Sequence, residues 1–123
     1  MALQESLTTI TLPAAGDLSS SQYLFVDINS SGQAAVVGTA GAKAIGVLQN
    51  DPAAAGRDAA VAIAGKVKVL AGGTIAIGAK VQSTAAGKAL LAASGDHVLG
   101  TAASAGADGS YMEVVLGSNH ILA

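Results

Sequence analysis

The chain has 123 residues, the length of one domain, and its net charge of −2 (eight acids against six bases) gives no electrostatic footprint for nucleic acid. It has no cysteine and only His97 and His120 as histidines, so disulfides and a Cys/His zinc set are both excluded. The apolar fraction is 51%, but much of it is alanine and the only aromatics are Tyr23, Phe25 and Tyr111. The core is therefore thin, a small domain of this kind is marginal alone, and self-association is the remaining support. A charged fraction of 11% fits a surface partly covered by neighbours.

Met1–Ser6 has no basic segment and no continuous apolar run, so a signal peptide is not expected. Leu3, Leu7, Ile10 and Leu12 are apolar but spaced by polar residues. Thr8–Leu12 favours extended backbone, and Pro13 ends it. Ala14–Gln22 has linker composition. Residues 1–21 thus read as an arm and linker, either frayed or ordered by adding a strand to a partner. Residues 22–116 read as a β-domain, and 117–123 as a C-terminal tail.

Tyr23–Ile28 is expected as a strand, closed by an Asn29–Gly32 turn, with Ala34–Val37 as the return. Lys43–Leu48 is another strand, and the glycine inside it marks a bulge or a close backbone approach. Asp51-Pro52 fits a helix start, of at most one or two turns near 52–56. From Val61 the pattern has period two. Val61, Ile63, Val67 and Val69 are expected to share one core-facing stripe, with Lys66 and Lys68 opposite. Ala71-Gly72-Gly73 then supplies a hairpin turn, and Ile75 and Ile77 resume the alternation. Short strands follow at 80–83, 88–91, 97–101 and 110–116. Turn signals every 8–12 residues or so predict an all-β fold, a small β-barrel or β-sandwich of short strands with an extended N-terminal arm. The 59–79 stretch carries Lys66 and Lys68 near its centre, at about 2.5–3.5 kcal/mol each for membrane insertion, which argues against a transmembrane span.

A partial internal repeat is visible. Gly41–Gly46 parallels Gly95–Gly100, and Ala55-Gly-Arg-Asp58 parallels Ala105-Gly-Ala-Asp108. With the second loop four residues shorter, this predicts two similar strand–loop–strand units.

Motifs for chemistry are missing. The Gly-Lys pairs at 65–66 and 87–88 lack the hydroxyl and the upstream glycine of a phosphate loop, since positions 60 and 82 are Ala and Gln. There is no Gly-x-Ser-x-Gly elbow. Ser94, Asp96 and His97 are too close in sequence to converge as a triad, and a turn histidine is the simpler reading. Asp51, Asp58, Asp96 and Asp108 suit turns and caps, and no run is dense enough for calcium. No catalytic, cofactor or metal site is expected, and the chain does not read as an enzyme. A lipoyl- or biotin-carrier role is rejected because the expected hairpin tip holds no lysine.

Ile45-Gly-Val-Leu48, the Val61–Val69 alternation, Ile77-Gly-Ala-Lys-Val81, Leu99-Gly100 and Glu113-Val-Val-Leu116 together resemble the small capsid cement, or head decoration, proteins of tailed bacteriophages. The resemblance implies a non-enzymatic virion protein on the outer capsid surface, bound to the major capsid protein, commonly as a homotrimer. It implies that the N-terminal segment docks on the capsid, through Leu3, Leu7, Ile10 and Leu12. No nucleic acid, membrane or cofactor is implied. The alternative is another phage structural module, such as a head-fibre base or a tail-associated β-domain; a small enzyme or carrier comes third.

Overall fold

The computed structural model describes residues 5–121, with side chains described for 8–116. The described residues form nine strands: β1 (Glu5–Pro13), β2 (Phe25–Ile28), β3 (Ala34–Val36), β4 (Gly46–Leu48), β5 (Asp58–Leu70), β6 (Lys80–Ser83), β7 (Ala89–Leu91), β8 (His97–Ala102) and β9 (Tyr111–Ile121). The all-β class holds, and the described residues contain no helix. The strands join in one antiparallel sheet in the order β3-β2-β4-β5-β9-β8-β6-β7, with β1 on β5.

Read from its two ends, that order is the same motif twice. β2, β3 and β4 stand to the first half of β5 as β6, β7 and β8 stand to the first half of β9. Val26 pairs with Gly46 and Val47 with Ala62; Val81 pairs with Gly100 and Thr101 with Val115. The β2–β3 turn closes with Gly32 at φ +76°, and the Asn29 side-chain oxygen accepts the N–H groups of Ser31 and Gln33. The β6–β7 turn closes with Gly87 at φ +78°, and the Thr84 hydroxyl accepts those of Ala86 and Lys88. β5 serves both units. Its first half receives β1, Pro13 against Asp58, and its second half lies against β9 in the same way, Leu70 against Tyr111.

The cores follow the duplication. One cluster holds Ala14, Leu18, Val26, Ala34, Leu48, Ala59 and Val61, with Ile10 and Leu12 packed on it. Their counterparts Ala71, Ile75, Val81, Ala89, Ala102, Met112 and Val114, with Val67 and Val69, fill the other cluster. Phe25, Val37, Val47 and Ala62 of the first unit also join that second cluster and seal one unit against the other.

The repeat expectation holds for Gly46 and Gly100. A Cβ at Gly46 would run into the Ala62 carbonyl oxygen, and one at Gly100 would sit 3.2 Å from the Val115 carbonyl carbon, so each glycine lets two strands close up. The downstream alignment is corrected. Gly56 (φ +85°) corresponds to Gly109 (φ +81°), not Gly106: their N–H groups donate to the carbonyls of Ala14 and Ala71 respectively. The loops therefore differ by one residue, not four.

Three further expectations change. The 52–56 helix is a turn, because the Pro52 carbonyl accepts Leu18 N–H at 2.8 Å and Gly56 N–H bonds to Ala14, so local helical bonds are replaced by long-range ones. The 61–81 hairpin does not form. β5 pairs with β1, β4 and β9, while Ala71 bridges to Ala89 in parallel, carrying the chain into the second unit. Ile75 bridges to Gly106, and Ile77 is 70% exposed. The single stripe on β5 is also broken. Gly65 has φ +101°, and beyond it the parity reverses: Ala62 shares a cluster with Val67 and Val69, while Val61 faces the other. One irregular residue moves every later side chain to the opposite face.

Candidate interaction surfaces

Of the four arm residues, Leu3 lies outside the described residues, and Leu7 is described only as backbone of β1. Ile10 and Leu12 are half-buried against this chain's own first core. The pattern that suggested an arm is thus a strand pattern: Ile10 and Leu12 face inward, and Thr8, Thr9 and Thr11 face solvent. β1 pairs with β5 of the same chain, in the place the second half of β5 takes beside β9.

The Ser94, Asp96 and His97 group does not assemble as a catalytic set. The Asp96 carboxylate accepts Ala93 N–H at 2.8 Å and closes its own turn. His97 Nδ1 lies 3.3 Å from the Gly41 carbonyl oxygen, on a loop of the other unit. Asp27 forms an ion pair of 2.7 Å with Lys43 rather than facing another carboxylate. Among the described residues no three His, Asp or Glu side chains gather as metal ligands.

A feature not foreseen from the sequence lies where the units meet. The Tyr23 and Tyr111 rings stand edge to face, 5.4 Å apart at 81°, with the Lys68 ammonium 4.4 Å from the Tyr23 ring centroid and 5.5 Å from that of Tyr111. Attraction between cation and ring face holds this group together. Tyr23 has φ +68°, a conformation that costs a side-chain-bearing residue about 1–2 kcal/mol. Its counterpart in the second unit is Gly78, at φ +84°. Tyr23 is fixed there because its N–H donates to Leu48 and its carbonyl accepts from Leu70. Lys66, on the same strand face as Lys68, lies 3.8 Å from Glu113. Both lysines thus lie opposite Val67 and Val69, as expected, but they pack on neighbouring side chains.

Two concavities accompany these surfaces. One of about 60 Å³ lies between the units and is lined by Phe25, Ile45, Ile63, Leu99 and Leu116. The other, of about 230 Å³, is an open groove on the first unit lined by residues 27–29, 35–39, 42 and 43, with the Asp27–Lys43 ion pair in its wall. The first is small and lined by apolar side chains, and the second is shallow; neither gathers the convergent polar groups of a substrate site.

No protein-family model matches the chain, and no curated protein matches it. Among solved structures, the chain is similar to the head fiber gp8.5 N base of bacteriophage phi29, with a TM-score of 0.72 at 16% identity, over 95% of this chain and 99% of that one. At that identity the likeness shows a common fold.

Proposed function

We propose that this chain is a structural protein of a tailed-phage head, a β-module that attaches to the outer surface of the capsid in the manner of a head-fibre base. The observation that carries this reading is the near-complete match in length and fold to the phi29 head-fibre base. The composition agrees with it. A binding module of the shell needs a rigid body and broad surfaces, and this chain places polar residues in turns and in a pair between neighbouring strands. Its partners in this reading are the major capsid protein and further copies of itself, as a homotrimer. Several copies engaging one lattice gain avidity that no single contact supplies.

A second reading, capsid cement that stabilises the expanded shell, rests on the sequence resemblance given above. The two differ in consequence. Purified protein added to expanded, undecorated shells saturates defined outer sites in both, but only cement raises the temperature at which the shell breaks. Absence of binding to any shell form refutes both. Capsid docking through the arm is tested with Leu3→Ser and Leu7→Ser; truncation of residues 1–21 is unsuitable because it removes Ile10, Leu12 and Leu18 from a core. Unchanged shell binding by the two variants refutes docking through those residues.

A further inference from the structure

Within the chain, the first unit docks on the second through backbone as well as side chains. Gly41 N–H donates to the Ser83 carbonyl at 3.0 Å, and the Gly41 carbonyl accepts His97 N–H at 2.9 Å. Nearby, Phe25 N–H donates to the Gly87 carbonyl at 2.8 Å. Gly41 has φ +76°, and a Cβ there would run into the Asp96 carboxylate, so the turn is tightly seated.

The duplication gives each of these a counterpart: Gly95 for Gly41, Ile28 for Ser83, Lys43 for His97 and Gly32 for Gly87. Gly95 (φ +92°) and Gly32 (φ +76°) keep the same left-handed backbone, yet a Cβ at either would meet none of the described residues within 4 Å. Ser83 is fully buried, whereas Ile28 is 40% exposed. Ile28, Val36, Thr39, Ala42 and Lys43 line the open groove of about 230 Å³, at the place which the Gly41 turn occupies on the second unit. The second unit thus carries a turn with no seat, and the first carries a seat with no turn.

We propose that copies of this chain associate head to tail, the Gly95 turn of one copy seating in the Asp27–Lys43 groove of the next. The occupant is a second copy because the chain already makes this contact with itself, unit to unit. Strands need not be exchanged, since β1 already lies on the first half of β5. Val115, 46% exposed, is the counterpart of Ala62, which is buried in the inter-unit core, so an apolar side chain stands on the face that carries the Gly95 turn. Lys80 stands where the first unit has Phe25, which makes the contact between copies more polar than the one within a copy and easier to separate. Such a contact is heterologous, and repetition of it closes a ring when the rotation permits. The inference rests on the self-association in the reading above and is independent of capsid docking.

The absence of native cysteine makes the test direct. A Cβ at Gly41 falls 3.5 Å from that of Asp96, within the ~3.5–4.5 Å span of a disulfide. Gly41→Cys with Asp96→Cys is therefore an intramolecular control. Its counterpart, Ala42→Cys with Gly95→Cys, is expected on mild oxidation to give a ladder of covalent oligomers ending at the size at which the wild type sediments, while either single variant gives none. A wild type that sediments as a monomer overturns the inference together with the homotrimer. An oligomeric wild type whose double variant does not cross-link overturns this interface alone. A product stopping at the dimer overturns the head-to-tail geometry. Ile28→Asp needs no left-handed backbone and serves as a second variant: dissociation with unchanged far-ultraviolet circular dichroism is expected, and an intact oligomer overturns the proposal.

Discussion

The duplication assigns Gly46 and Gly100 one task, and Gly46→Ala tests it. At Gly46 the added methyl meets the carbonyl oxygen of Ala62, the carbonyl carbon at 2.9 Å and Val61 Cγ1 at 3.0 Å. The obstacle is backbone, so it yields only if β4 withdraws from β5 and loosens the pairing of Val47 with Ala62. Overpacking of this kind costs about 1–3 kcal/mol, and a lost ladder hydrogen bond adds about 1 kcal/mol. The expected loss is about 3 kcal/mol. With an unfolding entropy of about 2.1 cal/mol/K per residue, the whole chain has roughly 0.26 kcal/mol/K, so Tm falls by about 12 °C. The assay is thermal unfolding by circular dichroism at fixed protein concentration, beside two controls. Gly56→Ala has open space but φ +85° and loses about 1 kcal/mol for the backbone alone. Gly16→Ala has open space and no left-handed φ, and changes stability by less than about 0.5 kcal/mol. A Gly46→Ala variant as stable as Gly16→Ala refutes the close approach and the unit packing built on it.

Leu48→Ala and Ile75→Ala each empty part of one core, and each is expected to cost about 2–5 kcal/mol in a single transition, because β5 belongs to both units; two separated transitions in calorimetry would contradict the shared strand. Tyr23→Gly removes a left-handed cost of about 1–2 kcal/mol but also a ring pair and a cation–ring contact worth about 0.5–1.5 and 0.5–1 kcal/mol, so denaturant titration is expected to show a net change within about 1 kcal/mol. A larger loss would give Tyr23 a structural role beyond these contacts. Asp17 accepts hydrogen bonds from Ser19, which hold its carboxyl below the ordinary 3.8. Its stabilising contribution is therefore present above that value and lost as pH falls through the lowered one, and Asp17→Ala is expected to flatten the acid limb of a stability–pH curve; an unchanged limb contradicts the assignment.

What could be read from the sequence was what local chemistry controls. Period-two runs bounded by glycine turns located most of the strands, and the glycine inside Lys43–Leu48 was legible as a close approach because few other roles suit it there. The parity change on β5 was not legible, since a bulge at Gly65 leaves the written alternation of Val61 to Val69 intact. The repeat was visible at Gly46 and Gly100 but slipped to Gly106, because alanine and glycine recur so often that several registers fit; hydrogen bonding to Ala14 and Ala71 selects Gly109. Ile10 and Leu12 looked available to a partner because the strand that covers them, β5, lies more than forty-five residues downstream. The Tyr23–Lys68–Tyr111 group joins three distant segments and had no local signature.

The central claim is attachment to the outside of a phage head. A cryo-electron reconstruction of phage particles assembled in the presence of this protein is the direct test. Density for the two-unit β-module is expected on the outer face of the shell, in contact with the major capsid protein. Density confined to the tail, or none on the particle at all, would contradict it.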